Sequence, residues 1–213
     1  MAYMIVQAGE SRSFPSGDPF LAGAVQTAEV VIYMGAPYEP DASKSAILIE
    51  LGCECLGVHT GEAAGEEGSN VLGFARYRNG GDVSSGLIEL VRQPHSAKSA
   101  IDAAKALFEV AGFEVVLCKD QPGRIIDRLV RPKYNAALRF LDEGLGTAKD
   151  LDLTCRLGLG YPRGPIESVE RGGLAWHYYV TKALFDIYGT PAYAPSRRAV
   201  VAKEREHKSC PPH

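Results

Sequence analysis

Cysteine is scarce in this 213-residue chain: Cys53, Cys55, Cys118, Cys155 and Cys210 are scattered and odd in number. That excludes a disulfide framework. Cys53-x-Cys55 is too closely spaced for zinc and has no second Cys or His pair to complete a site, so no metal is expected. The five thiols read instead as small buried hydrophobes in a reducing compartment. A basic excess is lacking as well: 23 Lys and Arg stand against 26 Asp and Glu, a net charge of -3. A nucleic-acid partner would need a basic surface, so none is expected. No apolar run approaches a membrane span, and the N-terminus lacks the basic-then-apolar order of a signal peptide. The expectation is a cytoplasmic protein with no membrane partner. Gly-x-Gly-x-x-Gly, the turn that lets a backbone approach a dinucleotide diphosphate, occurs nowhere in the sequence.

What remains is the composition of an ordinary globular protein, 46% hydrophobic and 23% charged, long enough for one or two domains with a real core. In the first half, Tyr3–Gln7, Glu29–Met34, Cys53–His59, Val71–Tyr77 and Leu87–Arg92 read as strands, and Ser43–Leu51 as a helix. Asn79-Gly80-Gly81-Asp82 is a turn between two of those strands. Ser96 reads as the cap of a helix whose Ile101, Ala104, Leu107, Phe108 and Ala111 share one face and whose end is Gly112. Alternating strands and helices predict an α/β layer with a mainly parallel sheet.

The second half is organised around Asp120–Gly164. A strand from Glu114 to Cys118 leads to Asp120 and a Pro122-Gly123 turn. Ile125, Ile126, Leu129, Val130, Tyr134, Ala137, Leu138 and Leu141 then recur at helical spacing, with Pro132 inside predicting a kink. Gly144 and Gly146 end that helix. Thr147 with Asp150 forms a capping box for the next. After Gly164-Pro165 opens a short helix, Trp176, Tyr179, Val180, Ala183, Leu184 and Ile187 mark one face of another, with His177 on its surface. The polar stretch from Ala199 reads as a frayed tail.

Together these landmarks resemble the C-terminal helical domain of the 3-hydroxyacyl-CoA dehydrogenase family. The matching residues are Asp120, Pro122-Gly123, Pro132, Asn135-Ala136, Glu143-Gly144, Asp150-Leu151-Asp152 and Gly158-Leu159-Gly160-Tyr161-Pro162-Arg163-Gly164-Pro165. The earlier half is similar to the later part of that family's NAD-binding domain. Ala28–Ile32, Lys44 in the following helix, His59-Thr60-Gly61, Leu72–Ala75 and Leu87-Ile88-Glu89 take the places of family segments. The expected fold is therefore an α/β remnant of a Rossmann-like parallel sheet followed by an all-α domain. Its expected divisions are a truncated α/β domain at 1–119, a helical domain at 120–200 and a flexible tail at 201–213.

The departures from the family matter more than the matches. The resemblance implies a His base oriented by a Glu, with a Ser and an Asn holding substrate. This chain has Ala75 at the His position, Gly61 at the Ser position and Asp127 at the Asn position, and keeps only Glu89. Alanine accepts no proton, and a general base is worth about a hundred- to ten-thousand-fold. NAD is the family's cofactor, yet only 27 residues precede Ala28, fewer than the roughly 30 of a βαβ unit. The first nucleotide-binding half is expected to be missing or reduced to one strand, so the cofactor is left unassigned.

The candidate catalytic residues are Glu89, Asp127 and His59. His59 would replace the lost base if it ends a strand in the cleft, and Glu89 with Asp127 would form a carboxylate pair that pushes one pKa up. Each has a plainer role as a surface or salt-bridged residue. Candidate substrate contacts are Thr60, Arg76, which would hold a carboxylate or CoA phosphate, and Tyr161, which would line an acyl pocket with Tyr77. Three functions follow. One is a degenerate accessory protein that binds acyl-CoA and, as the family's helical domain implies, forms a homodimer. Another is an NAD-dependent dehydrogenase with its nucleotide site rebuilt or supplied by a partner subunit. The last is a CoA-ester hydratase or hydrolase.

Overall fold

The computed structural model describes residues 2–61 and 69–209; Cys210 and the last residues of the expected tail lie outside them. The chain divides into two compact units. One comprises the residues up to Arg78 together with Ser84–Ile125; the other comprises Asn79–Val83 and everything from Ile126.

The first unit is built on a six-stranded sheet of β1 (Tyr3–Gln7), β2 (Val30–Met34), β3 (Ala46–Glu50), β4 (Val71–Arg76), β5 (Leu87–Arg92) and β6 (Glu114–Lys119). The strands lie side by side in chain order. Every pair is parallel except β4–β5. The parallel strands are short apolar runs because both faces of the sheet are covered, so the side chains of a strand alternate between two cores rather than between core and water. Val30, Ile32, Met34, Leu48, Phe74, Ile88 and Leu90 enter one core with Phe14, Phe20 and Leu107 and Phe108 of α3 (Lys98–Val110). Val31, Tyr33, Ile47, Ile49, Leu51 and Val91 enter the other with Leu56. Between β1 and β2 the only helix is the four-residue α1 (Pro19–Ala22).

Three local expectations give way to the structure. Ser43–Leu51 forms no helix; its centre is β3, whose Ala46–Ile49 side chains are all buried. The Ala-Ile-Leu-Ile run is ambiguous by periodicity alone, and partners on both sides settle it as a strand. Lys44 accordingly precedes a strand, its Nζ donating to the Ala28 carbonyl at 3.1 Å. Cys53–His59 forms no strand. Its end is one helical turn, α2 (Gly57–Thr60). Ser96 does not cap α3 either; Ala97 stands at the N-cap, and the Ser96 hydroxyl accepts from the Gln93 amide at 3.0 Å.

The second unit is helical: α4 (Ile126–Asp142), α5 (Ala148–Leu159), α6 (Pro165–Gly172), α7 (Leu174–Tyr188), a 3-10 turn (Pro191–Tyr193) and α8 (Arg197–Ser209). Helix α4 continues through Pro132. Thr147 accepts from the Asp150 amide at 3.2 Å, the expected cap of α5. Asp152 reaches from α5 to the start of α6, where its two carboxylate oxygens accept from the amides of Ile166 (2.8 Å) and Glu167 (2.9 Å). A carboxylate there satisfies two orphan donors and meets the positive end of the helix. A β-carbon on Gly164 would collide with that same carboxylate.

Two further readings are corrected in this unit. Helix α7 buries Ala175, His177, Val180, Thr181 and Leu184, while Trp176, Tyr179 and Ile187 are 42–55% exposed. The buried stripe is therefore rotated from the expected one, and His177, read as a surface residue, is 0% exposed. The stretch read as a frayed tail is helical to Ser209, held by a fully buried Ala199 and by Arg197 and Arg198, each 2.8 Å from Asp142. Its run of Ala, Lys, Glu and Arg is strongly helix-favouring.

Candidate functional site

Chemistry in the first unit collects around the carboxyl ends of β3 and β5. In the antiparallel β4–β5 pair, Ala75 lies directly opposite Glu89, so the two share one face of the sheet. Both are buried, Ala75 at 7% and Glu89 at 4% exposure. Glu89 Oε2 lies 3.4 Å from Arg124 Nε, and its Oε1 accepts from the Ile125 amide at 2.9 Å. Arg124 also donates to the carbonyls of Gly52 (2.5 Å) and Glu54 (3.3 Å). It therefore ties β5 to the segment leaving β3. Arg124 is the one non-glycine residue with positive φ, at 45°, among the described residues. Such a conformation costs free energy and persists where surrounding bonds over-determine it, as the guanidinium's bonds do here.

The segment after β3 forms the wall of a cleft of about 410 Å³ at the carboxyl edge of β1–β3, lined by Glu10, Arg12, Gly35, Glu50, Glu54 and His59 among others. His59 Nε2 lies 3.7 Å from Glu54 Oε1, with about a third of each side chain exposed. Burial pushes the Glu54 carboxyl up, but amide donors from Gly52 and from Glu54 itself, with the charges of Arg12 and His59, outweigh it and hold the pKa below the usual carboxylate range. Arg12 packs so close over Gly52 that a β-carbon there would overlap the guanidinium. Glu50 is occupied within the protein: its Oε1 accepts from the Ser11 hydroxyl (2.7 Å) and the Ser13 amide (2.6 Å). Behind the wall, Asp120 accepts from the amides of Leu56 (2.6 Å) and Gly57 (2.8 Å) and so fixes the start of α2.

The residues singled out in the sequence are thus distributed unevenly. His59 is in the cleft, though in the last turn of a helix and not at a strand end. Thr60 turns back, its hydroxyl 3.2 Å from the Leu56 carbonyl and 3.0 Å from Gln93 Oε1. Arg76 is not beside Ala75 in the useful sense: successive strand residues point to opposite faces. Its guanidinium pairs with Asp18 at 2.7 Å, donates to the Ser85 carbonyl at 2.6 Å and stacks over Phe14 and Phe113. The expected anion clamp is an internal pair. In the second unit Asp127 pairs with Arg131 at 2.8 Å, one helical turn on. Tyr161 lies under the Lys133 ammonium, 4.7 Å from the ring centre. Sequence reading missed Glu54, Arg12 and Arg124. The available signal was Glu54 five residues before His59, masked by the assignment of that segment to a strand. Among the described residues no group of three metal-binding side chains occurs.

The profile described as "3-hydroxyacyl-CoA dehydrogenase, C-terminal domain" matches residues 123–209. That stretch of the chain is similar to the C-terminal domain of 3-hydroxyacyl-CoA dehydrogenases. The mitochondrial hydroxyacyl-coenzyme A dehydrogenase of Sus scrofa is 34% identical over 88 residues, 41% of this chain and 28% of that protein. A 3-hydroxybutyryl-CoA dehydrogenase of Bradyrhizobium diazoefficiens is 28% identical over 109 residues, 51% of this chain and 37% of that protein. The chain thus aligns with well under half the length of these curated relatives. Its fold matches FadB2 of M. tuberculosis with a TM-score of 0.72 at 21% identity, covering 84% of this chain and 67% of that one. The (S)-3-hydroxybutyryl-CoA dehydrogenase PaaH1 of Ralstonia eutropha gives 0.69 at 20% identity, with 85% and 66% covered. At such identities the likeness is one of fold. It confirms the expected class, a mainly parallel sheet followed by helices.

Proposed function

We propose that this dehydrogenase-like protein serves acyl-CoA metabolism as a dimeric acyl-CoA-binding or accessory subunit that has lost the family's hydride chemistry. The observation that carries this reading is the pair Ala75 and Glu89. A base opposite Glu89 would use its carboxylate as an orienting partner. Here the position holds a methyl group, and the carboxylate is neutralised by Arg124. Neither residue moves a proton.

NAD, the cofactor the resemblance implies, does not fit the residues present. A diphosphate is held by a glycine-rich turn and by free amides at a helix N-terminus. After β1 this chain runs Ala8-Gly9-Glu10-Ser11-Arg12-Ser13-Phe14. Ser11 and Ser13 are committed to Glu50, Phe14 is fully buried, and the four-residue α1 is capped by Asp18, which accepts from the Phe20 amide at 3.0 Å. Glu10, Glu50 and Glu54 place negative charge where a diphosphate would need positive. The mechanism left to the chain is binding: a helical unit for dimerisation and thioester recognition, with no step routed through a nucleotide.

The test is a pair of titrations on the full chain, NADH followed by fluorescence and butyryl-CoA by calorimetry. Saturable butyryl-CoA binding without NADH binding is the expected result. Saturable NADH binding by the isolated chain would falsify the accessory reading in favour of a working dehydrogenase. Co-purification with a chain that carries an intact glycine fingerprint would point to a partner-supplied nucleotide site instead.

A further inference from the structure

The connection between the parallel strands β1 and β2 carries only the four-residue helix α1. A crossover of this kind normally includes a helix long enough to cover its strands, so a single turn leaves a gap beside it. The gap is a groove of about 470 Å³ between α1 and the end of α3, within the range of about 300–1,000 Å³ usual for small-molecule sites. Three rings line it, those of Tyr3, Phe20 and Phe113. They hold one another in place: Tyr3 stacks on Phe20 with 4.6 Å between centroids, and Phe113 stands edge-on to Phe20 at 5.7 Å. Leu107 and Val110 of α3 supply an aliphatic wall.

One donor in this lining is left unspent. The Tyr3 hydroxyl donates to the Phe20 carbonyl. Asp18 Oδ1 accepts from the Phe20 amide at 3.0 Å, and its Oδ2 accepts from Arg76 Nη1 at 2.7 Å. Arg76 Nε donates to the Ser85 carbonyl at 2.6 Å, and the guanidinium lies 4.7 Å over the Phe113 ring. The Arg76 side chain is only 10% exposed and is fixed by these contacts. Its Nη2 has no acceptor among the described residues, and solvent reaches it. Because Asp18 answers the charge of the guanidinium, Arg76 offers the groove a hydrogen-bond donor without net charge.

We infer that this groove binds a neutral aromatic molecule with a single acceptor oxygen, the chemistry of an aryl ketone. The rings and the aliphatic wall select a flat apolar body. Nη2 selects the acceptor, since a donor left facing an apolar ligand loses its bond to water and gains nothing in return. A carboxylate is disfavoured, because the carboxylate already paired with Arg76 repels a second one brought beside it.

The test is a titration of the full chain with acetophenone, ethylbenzene and benzoate, followed by proton–nitrogen NMR at Arg76 Nε. Acetophenone is expected to shift that resonance saturably and to bind about tenfold more tightly than ethylbenzene, which has its shape and no acceptor. Val110 is 73% exposed, so Val110→Trp fills the groove without disturbing the core. That variant is expected to lose the shift while its circular dichroism stays native. No saturable shift with acetophenone, equal binding by Val110→Trp, equal affinity for ethylbenzene, or tighter binding of benzoate would each overturn the inference. Butyryl-CoA plays no part in these outcomes, so the groove and the accessory reading can each fail alone.

Discussion

Ala75 and Glu89 face one another across the β4–β5 pair, and the charge that answers Glu89 comes from Arg124, 35 residues further along the chain. The carboxylate is therefore buried and paired within the fold.

That relationship predicts a large stability effect. Glu89→Gln leaves a buried guanidinium without its counter-charge, since both side chains are about 95% buried. The expected loss is about 3 kcal/mol or more in urea unfolding. Adding Arg124→Met should restore a substantial part. A single-variant loss below about 1 kcal/mol would show that the pair is not buried in solution.

The Asp152 cap of α6 gives a second prediction. Asp152→Ala is expected to cost about 1–2 kcal/mol, the usual magnitude for removing a helix cap. Gly164→Ala should cost a similar amount by pushing the carboxylate away, and the two changes should be less than additive because they remove one interaction. Full additivity would count against a shared cause.

His177 makes stability depend on pH. Burial, with a smaller contribution from the charge of Arg131, pushes its imidazole down to about 3. Its Nε2 sits 2.9 Å from Asn135 Oδ1. The unfolded chain takes up the proton near pH 6.5 and the native chain does so only near pH 3, so this group's contribution is lost as pH falls through that window. The slope is at most about 1.4 kcal/mol per pH unit. Urea unfolding from pH 7 to pH 4 should show it, and His177→Gln should remove it. An unchanged slope in that variant would assign the acid sensitivity to other groups.

Dimerisation is the fourth prediction. Leu153 and Leu157, one turn apart on α5, are 44% and 77% exposed, an apolar stripe that a homodimer through the helical unit would cover. Sedimentation of the native protein is expected at twice the chain mass, and Leu157→Asp is expected to sediment as a monomer. A native monomer at micromolar concentration would remove the dimer from the proposed function.

How legible these features were depended on how local their causes are. The Thr147 cap and the strands β2, β4 and β5 follow from neighbouring residues, so the sequence sufficed. The segment 43–59 was misread because an apolar run flanked by glycine and cysteine suits helix or strand equally. The choice was made by β2 and β4 on either side and by Asp120, more than 60 residues away, capturing two amides. His177 was placed on the wrong side of α7 because the apolar stripe is broad enough to be drawn with more than one centre.

By itself, then, the sequence determined the order of a parallel sheet and a helical half, the likeness carried by the residues around Asp152 and Gly164, and the alanine at position 75. These are matters of composition and short-range spacing. Only the tertiary structure decided that Arg76 turns inward to Asp18, that Arg124 neutralises Glu89, and that Glu54, His59 and Arg12 line a common cleft. Those pairings join residues far apart in the chain, and long-range electrostatics and packing leave no periodic trace in a sequence.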